Sequence, residues 1–135
     1  MAETTQRGLW TLRILSAILL IATGLIHLWL VFNGTGGILG VAFVLNAIAG
    51  VVLGIAMLVL RGRLLQLATV LSLLFLIATL LALVLALTVT LFGITESWGR
   101  PLVPQAVIVE SIGIVVLGIT TAAVMRAPRT SPSTV

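Results

Sequence analysis

The sequence predicts an all-α integral membrane protein, a bundle of four membrane-spanning helices with both termini in the cytoplasm. Three observations lead there. Of 135 residues, 61% are hydrophobic and 7% charged, against about 25% charged in ordinary soluble domains. The few charges divide the chain into long charge-free runs, and chain-reversal residues fall between or within those runs. The mean hydropathy, +1.37, points the same way.

Composition also narrows the chemistry. The chain has no Cys, so it has no disulfide, thiolate metal site or thiol redox chemistry. It has one His and no Tyr, which removes a His-pair haem or zinc site within one chain. No nucleophile, metal or cofactor set can be assembled, and none is expected. The sequence pI near 11.9 rests on seven Arg against three Glu, with no Lys and no Asp. A nucleic-acid partner is therefore not expected; the expected partner is the lipid bilayer.

Residues 1–11, which include Glu3 and Arg7, read as a cytoplasmic N-terminal segment. After Arg13 no formal charge occurs until Arg61. A membrane core about 30 Å thick needs about 20 helical residues, so this run must fold back. Its turn signal is Asn33-Gly34-Thr35-Gly36-Gly37, because Gly and Asn accept positive φ. Span one is placed at 12–32 and span two at 38–60. Span one is longer than the about 7–15 residues of a signal-peptide core and is followed by no small-residue cleavage site, so it reads as uncleaved.

Arg61-Gly62-Arg63 turns the chain again. Span three, 64–91, exceeds the need and must tilt or project. Pro101 and Pro104 suit the opening of a helix, where a missing donor is harmless, and span four is placed at 104–125. The tail 127–135, with Pro128, Pro132 and several Ser and Thr, reads as a disordered cytoplasmic end. Its Ser133-Thr134-Val135 matches a PDZ-type carboxylate ligand by pattern.

Orientation follows from the arginines. Arg7, Arg13, Arg61, Arg63, Arg126 and Arg129 fall on one side of a four-span chain, and Arg100 alone on the other. Positive residues mark the cytoplasmic side, so the chain is read as multi-pass in the cell membrane with both ends inside. Trp29 and Trp98 then lie near the outer interface and Trp10 near the inner one, where indoles prefer to sit.

Polar residues inside spans are costly and call for a hypothesis. The spans hold one carboxylate, Glu110, one imidazole, His27, and a strong hydrogen bonder, Asn46, with Ser16, Thr23, Gln66, Ser72, Thr79, Thr88, Gln105 and Ser111 as weaker company. At 1.5 Å per residue, His27, Asn46 and Glu110 lie about 8, 12 and 9 Å from the outer end. They are expected in one outer-leaflet layer. Two readings stand: interhelical hydrogen bonds that glue the bundle, or a ligand-binding or proton-titrating pocket open to the outside.

Ala42, Asn46, Gly50 and Gly54 recur every four residues and share one face of span two. Gly50 and Gly54 form a GxxxG pair that admits close backbone approach, within the bundle or between copies of the chain. The outer loop 91–100 carries Glu96, Trp98 and Arg100, read as an ion pair with an interfacial anchor, in a solvated cap or a partner-docking loop.

Several segments resemble a known family. His27-Leu28-x-Leu30, Gly37-Ile38-Leu39-Gly40, Phe43-Val44-Leu45-Asn46-Ala47, Leu91-Phe92-Gly93-Ile94-x-Glu96 and Glu110 resemble a family of uncharacterised small four-span membrane proteins of actinobacteria. The first outer loop departs from it, with Asn33-Gly34-Thr35-Gly36-Gly37 where relatives carry Gly-Tyr-Arg and Ile-Pro. The layout is also similar to DoxX-like four-helix proteins at fold level. The resemblance implies the four-span fold and a recurring His/Asn/Glu set, without an activity.

The function expected first is a non-enzymatic accessory or interaction subunit, with a protein partner or a second copy held through the membrane helices. The alternative is a small transporter or ligand-binding protein using His27, Asn46 and Glu110. A membrane enzyme or quinone-linked subunit lacks the residues it would need.

Overall fold

The structure is a computed structural model and describes residues 2–126. It contains four helices, α1 (Ala2–Phe32), α2 (Gly37–Val59), α3 (Gly62–Thr88) and α4 (Val103–Arg126). Each contains a stretch long and apolar enough to cross a membrane. The tail 127–135, with its expected disorder and terminal Ser-Thr-Val, lies outside the described residues.

Seven of the eight helix ends differ from the expected spans, five of them by one or two residues. α1 begins at Ala2, so the segment placed before span one continues the same helix. α3 stops at Thr88, before the expected Leu91, because residues 91–94 close a tight turn. That turn has positive φ at Phe92 and Gly93, and Leu91 and Ile94 exchange both backbone hydrogen bonds. Phe92 adopts a conformation that costs a non-glycine residue about 1–2 kcal/mol. α4 begins at Val103, one residue early.

Neighbours in sequence run antiparallel, and α1 packs against both α2 and α4 while α3 packs mainly on α4. The contact between α2 and α3 is the sparsest of the four. Hereafter the distal end carries the 33–36 turn and the 89–102 segment, and the proximal end carries the α2–α3 joint.

Close packing on α1 explains the small residues of α2. A Cβ added to Gly50 would stand 2.6 Å from the Leu20 carbonyl oxygen and 3.1 Å from the Gly24 Cα. One added to Gly54 would stand 2.7 Å from the Ile21 side chain. The GxxxG pair therefore serves packing inside this chain, with Gly24 as the facing small residue.

The closed core occupies the proximal half, where Leu20, Met57, Leu76 and Leu117 are fully buried. Polar groups there are satisfied. The Ser16 and Thr120 hydroxyls, both fully buried, meet at 3.0 Å across α1 and α4. Thr120 also donates to the Val116 carbonyl, which uses its one proton, so Ser16 is the donor between the two. Arg13 donates from Nε to the Met57 carbonyl at 2.7 Å and from Nη2 to the Leu60 carbonyl at 2.8 Å. Helix C-termini leave such carbonyls without partners; here α1 supplies them to α2. The Trp10 ring lies 4.9 Å from the same guanidinium.

The outward faces are apolar at every height. Ile18, Leu25, Leu45, Leu81 and Val115 are each more than half exposed. An apolar exterior of this extent is untenable in water for a monomer.

Candidate functional site

The distal half of the bundle is hollow. A cavity of about 500 Å³ lies between the helices, with walls from all four and a roof from residues 91–102. Its position follows from the sequence. α2 and α3 are joined by a short link at the proximal end and pack more sparsely on each other than the other main helix pairs do. On α3, Ala78, Ala82 and Ala86 recur every four residues and all line the cavity, facing Ala42 of α2 and Ala106 of α4. Side chains this small cannot fill the gap. Phe75, the lining residue of α3 farthest from the distal end, marks the floor. From Phe75 to Ala86 the groove runs about 17 Å along the helix, close to one leaflet of a bilayer core about 30 Å thick.

Most of the lining is apolar, and the polar exceptions come from different elements. His27 of α1 is 9% exposed and borders the cavity. Its Nδ1 lies 2.8 Å from the Thr23 carbonyl oxygen. A carbonyl only accepts, so Nδ1 carries the hydrogen and the neutral ring keeps its lone pair on Nε2. The Phe43 ring meets the imidazole edge to face, with centroids 4.8 Å apart. Asn46 follows Phe43 by three residues and so shares its face of α2. Asn46 also borders the cavity, and its Oδ1 has no hydrogen-bond partner.

Glu110 stands apart. It is 1% exposed on α4, does not line the cavity, and leaves Oε2 without a partner. The Thr79 hydroxyl is a polar neighbour. Thr79 itself lines the cavity and donates its hydroxyl proton to the Leu76 carbonyl at 3.0 Å. No hydrogen bond or ion pair joins His27, Asn46 or Glu110 to one another among the described residues. The expected three-residue layer is thus divided. His27 and Asn46 share the cavity, and Glu110 lies behind Thr79.

The mouth is built by the loop that the sequence singled out. Arg100 forms an ion pair with Glu96 through Nη1 and reaches Thr35 Oγ1 at 3.0 Å through Nη2. It thereby ties the 89–102 segment to the α1–α2 turn. The Glu96 backbone N–H donates to the Ala86 carbonyl, anchoring the loop on α3. The Glu96 side chain is only 8% exposed and lines the cavity with Arg100. A freely solvated cap does not describe this segment, although Trp98 remains 61% exposed.

Two features escaped the sequence. Thr35 was read only as a turn residue, and the alanine row of α3 carried no polar signal. Among the described residues, no group of three or more His, Asp or Glu side chains stands together in a metal-binding arrangement. Comparison with known proteins adds no relative: no family model, no curated protein and no solved structure matches the chain. Function is therefore read from the cavity.

Proposed function

We propose that the chain is a non-enzymatic multi-pass protein of the cell membrane, with both ends cytoplasmic, that binds a small lipophilic molecule in its distal cavity. One observation carries the reading: an apolar cavity of about 500 Å³ that two hydrogen-bonding side chains, His27 and Asn46, border without being used up by the fold. Small-molecule sites are typically mostly apolar, about 300–1,000 Å³, with a few placed polar groups. The apolar exterior and the six arginines assigned to one side support a bilayer position with the cavity in the outer leaflet.

The test is chemical. Protein purified in bilayer discs is extracted with organic solvent, and the extract of the wild type is compared with that of Ala82→Trp, which fills the cavity. A stoichiometric compound present in the first and missing from the second supports the reading. Identical extracts oppose it.

An accessory or interaction subunit is the second reading. Phe92, 95% exposed, and Trp98 beside the mouth favour it as a place for a partner. It requires that a partner co-purify and that Phe92→Ser with Trp98→Ser release it, while Ala82→Trp does not.

A further inference from the structure

We infer that the cavity selects an uncharged lipophilic alcohol, which enters sideways from the bilayer between α2 and α3 with its hydroxyl set against His27 and Asn46. The inference deepens the ligand-binding reading and rests on it. Three observations lead to it.

The first is the pair of polar groups. His27 Nδ1 is occupied by Thr23, which leaves the lone pair of Nε2 in the neutral ring as an acceptor. Asn46 Oδ1 has no hydrogen-bond partner, and the carboxamide carries N–H donors beside that acceptor. A hydroxyl is the smallest head that answers both, donating to the imidazole and accepting from the amide. A ketone or ether only accepts, and an ammonium only donates.

The second is charge. The one ion pair at the cavity, Glu96 with Arg100, neutralises itself. Among the described residues lining the cavity there is no Arg besides Arg100 to meet an anionic head, and Glu96 Oε2, buried and without a partner, repels one. Burying an uncompensated charge here is costly.

The third is the route. The mouth towards the distal end is tied by Arg100 to Thr35. The α2–α3 seam is the sparsest of the four main helix–helix contacts, and the alanine row of α3 lines the groove together with residues of α2. Access through lipid is therefore the open path, and the groove has the length of one leaflet, about 17 Å.

The experiment uses the full chain in bilayer discs with three photoreactive probes of one chain length: decanol, decane and decanoic acid, each bearing a diazirine. Labelled peptides are mapped by mass spectrometry. Decanol should label the α2 and α3 positions lining the cavity at least fivefold more than decane or decanoic acid. Asn46→Leu and, independently, His27→Phe should lower the decanol signal about five- to tenfold, with circular dichroism and the decane signal unchanged. Two single variants on different helices guard against a loss of fold in either. Equal labelling by all three probes, insensitive to both variants but abolished by Ala82→Trp, overturns the alcohol and leaves the ligand cavity standing. Stronger labelling by the acid also overturns it. Absence of any cavity labelling overturns both readings.

Discussion

Arg100 and Thr35 lie 65 positions apart in sequence, yet the guanidinium Nη2 and the hydroxyl Oγ1 meet at 3.0 Å. This contact and the ion pair to Glu96 turn a loop of mixed composition into the roof of a cavity. Removing either partner should loosen the roof, by unequal amounts. Thr35→Val removes one partly exposed hydrogen bond, a loss of about 0.5–1 kcal/mol. Arg100→Ala also leaves the buried Glu96 carboxylate without its partner and should cost about 1–3 kcal/mol. Glu96→Gln added to Arg100→Ala should recover part of that loss. Thermal unfolding in detergent, with hydrogen exchange across residues 93–100, checks the order.

Gly50 tests the α1–α2 contact. Gly50→Ala places a methyl 2.6 Å from the Leu20 carbonyl oxygen, and overpacking of this kind costs about 1–3 kcal/mol. Gly118 has nothing within 4 Å of an added Cβ, so Gly118→Ala should be neutral or stabilising by up to about 1 kcal/mol. Unfolding of the two variants by denaturing detergent separates packing glycines from incidental ones.

Arg13 has two roles that one substitution divides. It contributes positive charge to the side read as cytoplasmic, and its Nε and Nη2 bond to the Met57 and Leu60 carbonyls. Arg13→Lys keeps the charge and loses the fork. It should leave orientation unchanged and lower stability by about 1–2 kcal/mol. Unfolding measured alongside the orientation assay below reads both effects.

The absence of Cys makes orientation directly measurable. Gly8 and Gly99 each have open space for a side chain. Gly99→Cys should react with a membrane-impermeant maleimide on intact cells, and Gly8→Cys only after permeabilisation. The reverse pattern would invert the proposed topology.

Much of the architecture was legible because a bilayer imposes simple lengths. Charge-free runs, the Asn33–Gly37 turn, Arg61-Gly62-Arg63 and the prolines Pro101 and Pro104 led to the count of four helices. The direction in which each site residue points was not legible. A distance from the span end places Glu110 level with His27, but says nothing about how each helix is rotated about its axis. That rotation turns Glu110 towards Thr79 and out of the cavity lining. The cavity itself was hidden because Ala78, Ala82 and Ala86 look like any apolar stretch of a membrane helix. A void is a property of facing surfaces, and only the packing of the helices together reveals it. The Arg100–Thr35 contact depends in the same way on two loops meeting in space.

The most direct test of the ligand-binding account is a density map of the protein in lipid bilayer discs. The account predicts elongated density between α2 and α3, with one end within hydrogen-bonding distance of His27 Nε2 and the Asn46 carboxamide. Distal halves of α2 and α3 in direct side-chain contact, with no space along Ala78, Ala82 and Ala86, would contradict it.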